Sequence, residues 1–175
     1  MTDKRIVVVP YDSEWPRLFE AERALLERVL APWLAGGIHH VGSTAVTGIA
    51  AKPLIDMIAG VRDLEEARAA YGPLQNHSYR HEPHRPGIAH HFGKWPPGSD
   101  RRTHNLHLTE PGSDLWRERL VFRDALRADP AIAAEYERLK RRLAREHTEN
   151  GAYTTGKREF VAGVLARFGM APGRR

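Results

Sequence analysis

The chain has no cysteine. That excludes disulfides, thiolate zinc sites and a cysteine nucleophile. It also lacks long apolar runs: no stretch approaches the roughly 18 residues of a membrane span. The opening MTDKRIVVVPYD has too short an apolar run for a signal peptide. A cytoplasmic protein with no membrane partner is expected. Basic residues are not clustered either. Between Ser113 and Asn150 there are nine Lys or Arg and eight Asp or Glu, alternating as on solvated helices. A nucleic-acid groove would need clustered cations with interleaved aromatics, and none is seen, so nucleic acid is not the expected partner.

What is present is a single-domain length, 175 residues, with 41% hydrophobic residues and no low-complexity tract. One domain spanning 1–175 is expected. The net charge of +5 permits a phosphate-bearing partner.

Periodicity sets out the elements. Arg5–Val9 reads as a strand. Asp12 or Ser13 can cap a long amphipathic helix carrying Trp15, Leu18, Phe19, Leu25, Leu26, Val29, Leu30, Trp33 and Leu34, which Ala35-Gly36-Gly37 stops. Ile38–Val41 reads as a short strand. Pro53–Val61 reads as a strand buried on both faces. Asp63 caps a helix with Glu66 in its first turn, and Gly72 ends it. Antiparallel strands are expected near Ser78–Glu82, Ile88–Trp95 and Arg102–Glu110. Helices are expected over Ser113–Ala128, Pro130–His147 (capped by Asp129) and Thr155–Phe168. The order predicts an α+β fold: a mixed sheet with helices packed on it and a helical C-terminal third.

One stretch carries chemistry: HHVGSTAVTGIAAKPLIDM, His39 to Met57. A Gly-Ser turn after a strand and before a helix offers backbone N–H groups and hydroxyls to a phosphate oxygen. Gly42 lets a ligand come close; Ser43 and Thr44 can donate. Asp56 sits in an otherwise apolar run, where an unpaired carboxylate is costly. It should be paired, at an exposed strand end, or on a metal, and Lys52 is a candidate partner. Strand parity puts His104 with the core-facing Leu106 and Leu108, and Asn105, His107 and Thr109 on the other face. His107 could then join Asp56 around a metal or a phosphate. Of His39 and His40, one must point to the site face.

VVPYDSEWPRLFEAE, the His39–Met57 stretch, RTHNLHLTEPGSDLWRERLVFRDALRADP and YTTGKREFV together resemble the GrpB family, also called UPF0157, over about Val7 to Phe168. That resemblance implies a nucleotidyltransferase-like, DNA-polymerase-β-like core. It implies transfer of a nucleotidyl or phosphoryl group from a nucleoside triphosphate to a small acceptor. Gly42, Ser43 and Thr44 would hold the triphosphate and Asp56 a divalent ion, magnesium or manganese, or zinc if an imidazole joins. Lys52, Arg123 and Lys157 would neutralise phosphate, and His107 would be ligand or acid/base. The superfamily's second acid belongs at position 58, where this chain has Ile58. Glu110, Asp114 or Asp124 would have to supply an acid in space. The alternatives are a non-catalytic holder of a nucleotide or coenzyme-A-type ligand, and a His/Asp metal-dependent phosphoester hydrolase.

Overall fold

The computed structural model describes residues 6–170. Five strands form one sheet in the order β1-β2-β5-β4-β3. They are β1 Leu34–Val41, β2 Ile55–Val61, β3 Tyr79–His81, β4 His90–Lys94 and β5 His104–Thr109. Only β2 and β5 run parallel; β1–β2, β5–β4 and β4–β3 are antiparallel. The sheet is therefore mixed and the fold is α+β, as expected.

One sheet face packs on α1 (Trp15–Val29). Leu26, Met57, Leu106 and Leu108 are fully enclosed there with Phe19 and Phe92. Each such side chain contributes roughly 1.5–3 kcal/mol by leaving water. The other face receives α3 (Asp114–Ala128) through Val41, Ile58 and Leu115. Helices α4 (Pro130–Glu146), α5 (Asn150–Gly156) and α6 (Arg158–Ala166) complete the C-terminal third. There Phe122, Leu126, Ile132, Tyr136 and Val164 share a second core. Ser113 caps α3 by accepting from Trp116 N, and Asp129 caps α4 by accepting from Ala131 N.

Four expectations shift. Of the expected Arg5–Val9 strand, Arg5 lies outside the described residues and Val9 makes a single bridge to Ala51. The first helix ends at Val29, and the Gly-Gly pair lies inside β1, because Leu34 already pairs with Val61 and the register slips between Leu34 and Ile38. Gly72 does not end a helix. A 3₁₀ turn over Glu66–Ala70 runs into α2 (Tyr71–Gln75), whose first turn tolerates Pro73 because no helical donor is needed there. The last expected helix is two, broken at Lys157, which ends α5 and caps α6.

Candidate functional site

The register across β1, β2 and β5 builds the site. Val41 pairs with Asp56, and Asp56 pairs with Asn105. Directly after Val41 the chain turns at Gly42 into a short 3₁₀ turn, Ser43–Ala45. Gly42 has φ +72°, a left-handed conformation, and a Cβ there would lie 2.7 Å from Asp56 Oδ2. Only glycine suits both demands. The Gly-Ser turn thus closes directly on the lone strand acid.

Asp56 is held from the side. Asn105 Nδ2 donates to Asp56 Oδ1 at 2.8 Å, and Arg102 Nη1 donates to Asn105 Oδ1 at 2.9 Å. Arg102 also pairs with Glu82. Its guanidinium crosses β4 over Gly93, where a Cβ would meet Arg102 Nε at 2.7 Å. Glu82, Arg102, Asn105 and Asp56 form one polar chain across three strands.

Cations gather around this acid. Lys157 Nζ sits 4.4 Å from the centre of the Tyr153 ring and Lys52 Nζ 5.8 Å from it. Lys52 donates to Asn150 Oδ1 at 2.6 Å. Burial pushes the Lys157 ammonium down to about 8, while Asp56 pulls the other way. Lys52 is lowered by burial too, again opposed by Asp56. Arg119 on α3 adds positive potential at both Lys157 and His107. Ser43 hydrogen-bonds the buried Tyr136 phenol, which burial pushes up to about 12. A carboxylate fixed within a set of Lys and Arg side chains makes a field that favours an added anion.

The expected residues divide. Gly42, Ser43, Asp56, Lys52 and Lys157 come together. Thr44 does not join them. Its hydroxyl, 2% exposed, donates to the Leu54 carbonyl at 3.1 Å and bonds His40 Nε2 at 2.9 Å on the α1 side. Arg123 is also spent elsewhere, on the His40 carbonyl (3.1 Å) and Asp124. Arg119, one turn earlier, is the α3 arginine whose charge reaches Lys157 and His107. His107 lies on Asp56's face but pairs in register with Ile58. It stacks on His91 at 4.6 Å, and burial pushes its pKa well below the usual imidazole value. Of the two adjacent histidines, His39 takes the Asp56 side, bonding the Gly36 carbonyl and meeting Trp116 edge-on.

A two-ion centre needs several carboxylates. Glu110 accepts from Leu64 N, Asp114 pairs with Arg117, and Asp124 with Arg123. Among the described residues no three His, Asp or Glu side chains gather to hold a metal. The side chains present do not fit a two-ion centre. Asp56 is the residue that would hold a single magnesium or manganese ion.

Three residues outside the expected set, Asn105, Arg102 and Arg119, also act on this group. Strand parity already places Asn105 with His107 and Thr109, away from the core-facing Leu106 and Leu108. Arg102 and Arg119 left no local signal.

A five-stranded mixed sheet bearing a Gly-Ser turn against a strand acid defines the class. The family model described as GrpB protein matches residues 5–167, and the chain belongs to that family. It is 40% identical over 169 residues to a UPF0157 protein of Pseudomonas aeruginosa, covering 94% of this chain and 68% of that one. It is 34% identical to the glutamate-rich protein GrpB of Alkalihalophilus pseudofirmus, over 91% of this chain and 94% of that one. It is 35% identical to UPF0157 protein YqkA of Bacillus subtilis, of whose length it spans 46%. The crystal structure of conserved protein GrpB from Enterococcus faecalis superposes with a TM-score of 0.81 at 27% identity, over 94% of this chain and all of that one. Among the described residues no helix is long and apolar enough to cross a membrane.

Proposed function

We propose that this GrpB-family protein binds a phosphate-bearing small molecule, a nucleoside triphosphate in the first instance, over Asp56, as a cytoplasmic protein that uses neither nucleic acid nor membrane. The observation that carries this is the closure of the Gly42–Ser43 turn on Asp56, with Lys52 and Lys157 sharing the Tyr153 ring beside it. Backbone N–H groups of the turn would meet phosphate oxygens. Lys52, Lys157 and Arg119 would neutralise their charge. Asp56 would hold one divalent ion, which would supply further positive charge against the phosphates.

Transfer of the nucleotidyl or phosphoryl group to a small acceptor is the second reading. It is favoured by the placing of Val41-Gly42-Ser43 directly beside Asp56 on adjacent strands, the arrangement that the nucleotidyltransferase resemblance implies. A holder without turnover, for a nucleotide or coenzyme-A-type ligand, is what Ile58 favours.

Calorimetric titration of ATP into metal-stripped protein tests the proposal, with and without Mg²⁺ or Mn²⁺, wild type beside Asp56→Ala. Ion-dependent binding lost in Asp56→Ala supports the transferase reading and warrants an acceptor screen. Binding indifferent to both supports a holder. No binding by ATP, GTP, CTP or UTP ends the nucleotide assignment.

A further inference from the structure

A cavity lies behind the Ser43–Ala45 turn. It opens on the α1 side, with a volume of about 640 Å³, between α1, this turn and the α3–α4 corner. That volume suits a small organic ligand. Asp56 does not line it, and nothing in the phosphate-binding proposal uses it. Its walls are more apolar than polar: Phe19, Val46, Ile49, Leu126 and Ala133 line it, with Tyr11 at one side. Phe19 lies flat against the His40 ring, 4.8 Å between centres and 14° between planes.

The lining charges can be accounted for. Glu20 pairs with Arg23 at 2.6 Å. Glu137 accepts from Ala50 N at 2.9 Å and from Arg141 Nε at 2.8 Å. Arg127 differs: its Nε donates to the Ala45 carbonyl at 2.9 Å, and among the described residues no carboxylate stands within ion-pair distance of it, Asp124 acting on it from farther away while paired with Arg123. Its terminal nitrogens keep a donor fork suited to a carboxylate. His40 adds a second polar point. Thr44 gives its proton to Leu54, so His40 Nε2 donates to Thr44, leaving Nδ1 as an acceptor. An apolar slot with an aromatic floor, one unspent guanidinium and paired acids matches an apolar body carrying a single negative charge.

We propose that this cavity binds a small planar organic anion of the aromatic carboxylate class, its ring system against the Phe19 wall and its carboxylate on the Arg127 fork. The site is independent of the Asp56 site but shares a wall with it. The same turn places Ser43 on Tyr136 toward the phosphate side and Ala45 on Arg127 toward the cavity.

The test is calorimetric titration with 2-naphthoate, and with 2-naphthalenemethanol as its uncharged counterpart. Saturable binding of the acid, weaker by about tenfold or more for the alcohol, is expected. Arg127→Met should lose about tenfold in affinity for the acid and Arg127→Lys less. Ala134→Trp, placed from an exposed helix position that lines the cavity, should abolish binding by filling it. Far-UV circular dichroism verifies that each variant is folded. Equal affinity for acid and alcohol, wild-type affinity in Arg127→Met or in folded Ala134→Trp, or no saturable binding of the acid would each overturn the proposal.

Discussion

Asn105 hands a hydrogen bond across the one parallel strand pair to Asp56, 2.8 Å from Nδ2 to Oδ1. An amide thus stands where a second acid would let the pair hold ions. Asn105→Asp would put two carboxylates at contact distance beside Arg102. Like charges this close should destabilise the fold by about 1–3 kcal/mol at neutral pH. The loss should shrink as pH falls, and Mn²⁺ should reverse it by binding the new pair. Thermal melts of wild type and variant, with and without Mn²⁺, check this. A variant as stable as wild type and indifferent to Mn²⁺ would mean that the two side chains are not joined.

Gly42 makes a second prediction. Alanine there must take a left-handed backbone and push its Cβ against Asp56. The expected cost is about 2–3 kcal/mol, the backbone strain and the clash together. In an Asp56→Ala background the carboxylate part of the clash is gone, so the cost should fall by on the order of 1 kcal/mol. Urea unfolding of the four proteins in this cycle measures that coupling.

The sequence made the frame legible where one signal dominated. Asp56 stood out because a carboxylate broke an apolar strand, and parity alone separated His104 from Asn105 and His107. The Gly-Ser turn announced itself by composition. Other features depend on contacts between distant segments. Arg102 reaches Asn105 only because Gly93, on another strand, leaves room. Thr44 and Ser43 are neighbours of like chemistry, yet the 3₁₀ turn sends them to opposite sides. Arg119 and Arg123 lie on the same helix, and no periodicity states which turn meets the site. Lys157 falls in the first turn of the expected Thr155–Phe168 helix, and the structure puts it at a helix start. A helix also ends there, at Gly156, which packs so closely on Leu143 that a Cβ would meet it at 2.6 Å.

Lys140 should govern the alkaline side of stability. It is 1% exposed, donates to the Ala50 carbonyl, and lies among Glu137, Arg141 and Lys157. Burial pushes it down to about 7, against 10.5 when solvated. Between these values the unfolded chain binds the extra proton, so this group makes stability rise with pH across that window. Below it, the buried charge is a standing cost. In Lys140→Met the rise should be smaller by on the order of 1–3 kcal/mol. Urea midpoints from about pH 7 to 10 for both proteins measure the difference, and parallel curves would contradict it.

His40 acts at the acid side. Burial, with Arg127 and Arg123 nearby, lowers it to about 4 from 6.5. A depressed histidine keeps its full contribution above 6.5, and loses it as pH falls through that range, because the unfolded chain takes the proton first. His40→Gln can still donate to Thr44 but cannot titrate. Its stability should fall less steeply than wild type's between about pH 6.5 and 4, as read from thermal melts.

Two arginines one helical turn apart separate the site from the scaffold. Arg123 donates to the His40 carbonyl, a backbone group that would otherwise lack that partner. Arg119 is exposed and directs its field at Lys157 and His107. Truncating Arg123 to Met should cost about 1–2 kcal/mol of stability and leave ATP affinity near wild type. Truncating Arg119 to Met should leave the melting temperature unchanged and weaken ATP by about five- to tenfold, since only a cation facing the ligand is lost. Calorimetry and thermal melts on the same two preparations decide it. If Arg123→Met instead loses ATP while Arg119→Met does not, the phosphates lie nearer the His40 backbone than Asp56. The Lys52–Tyr153–Lys157 grouping would then have to be explained without them.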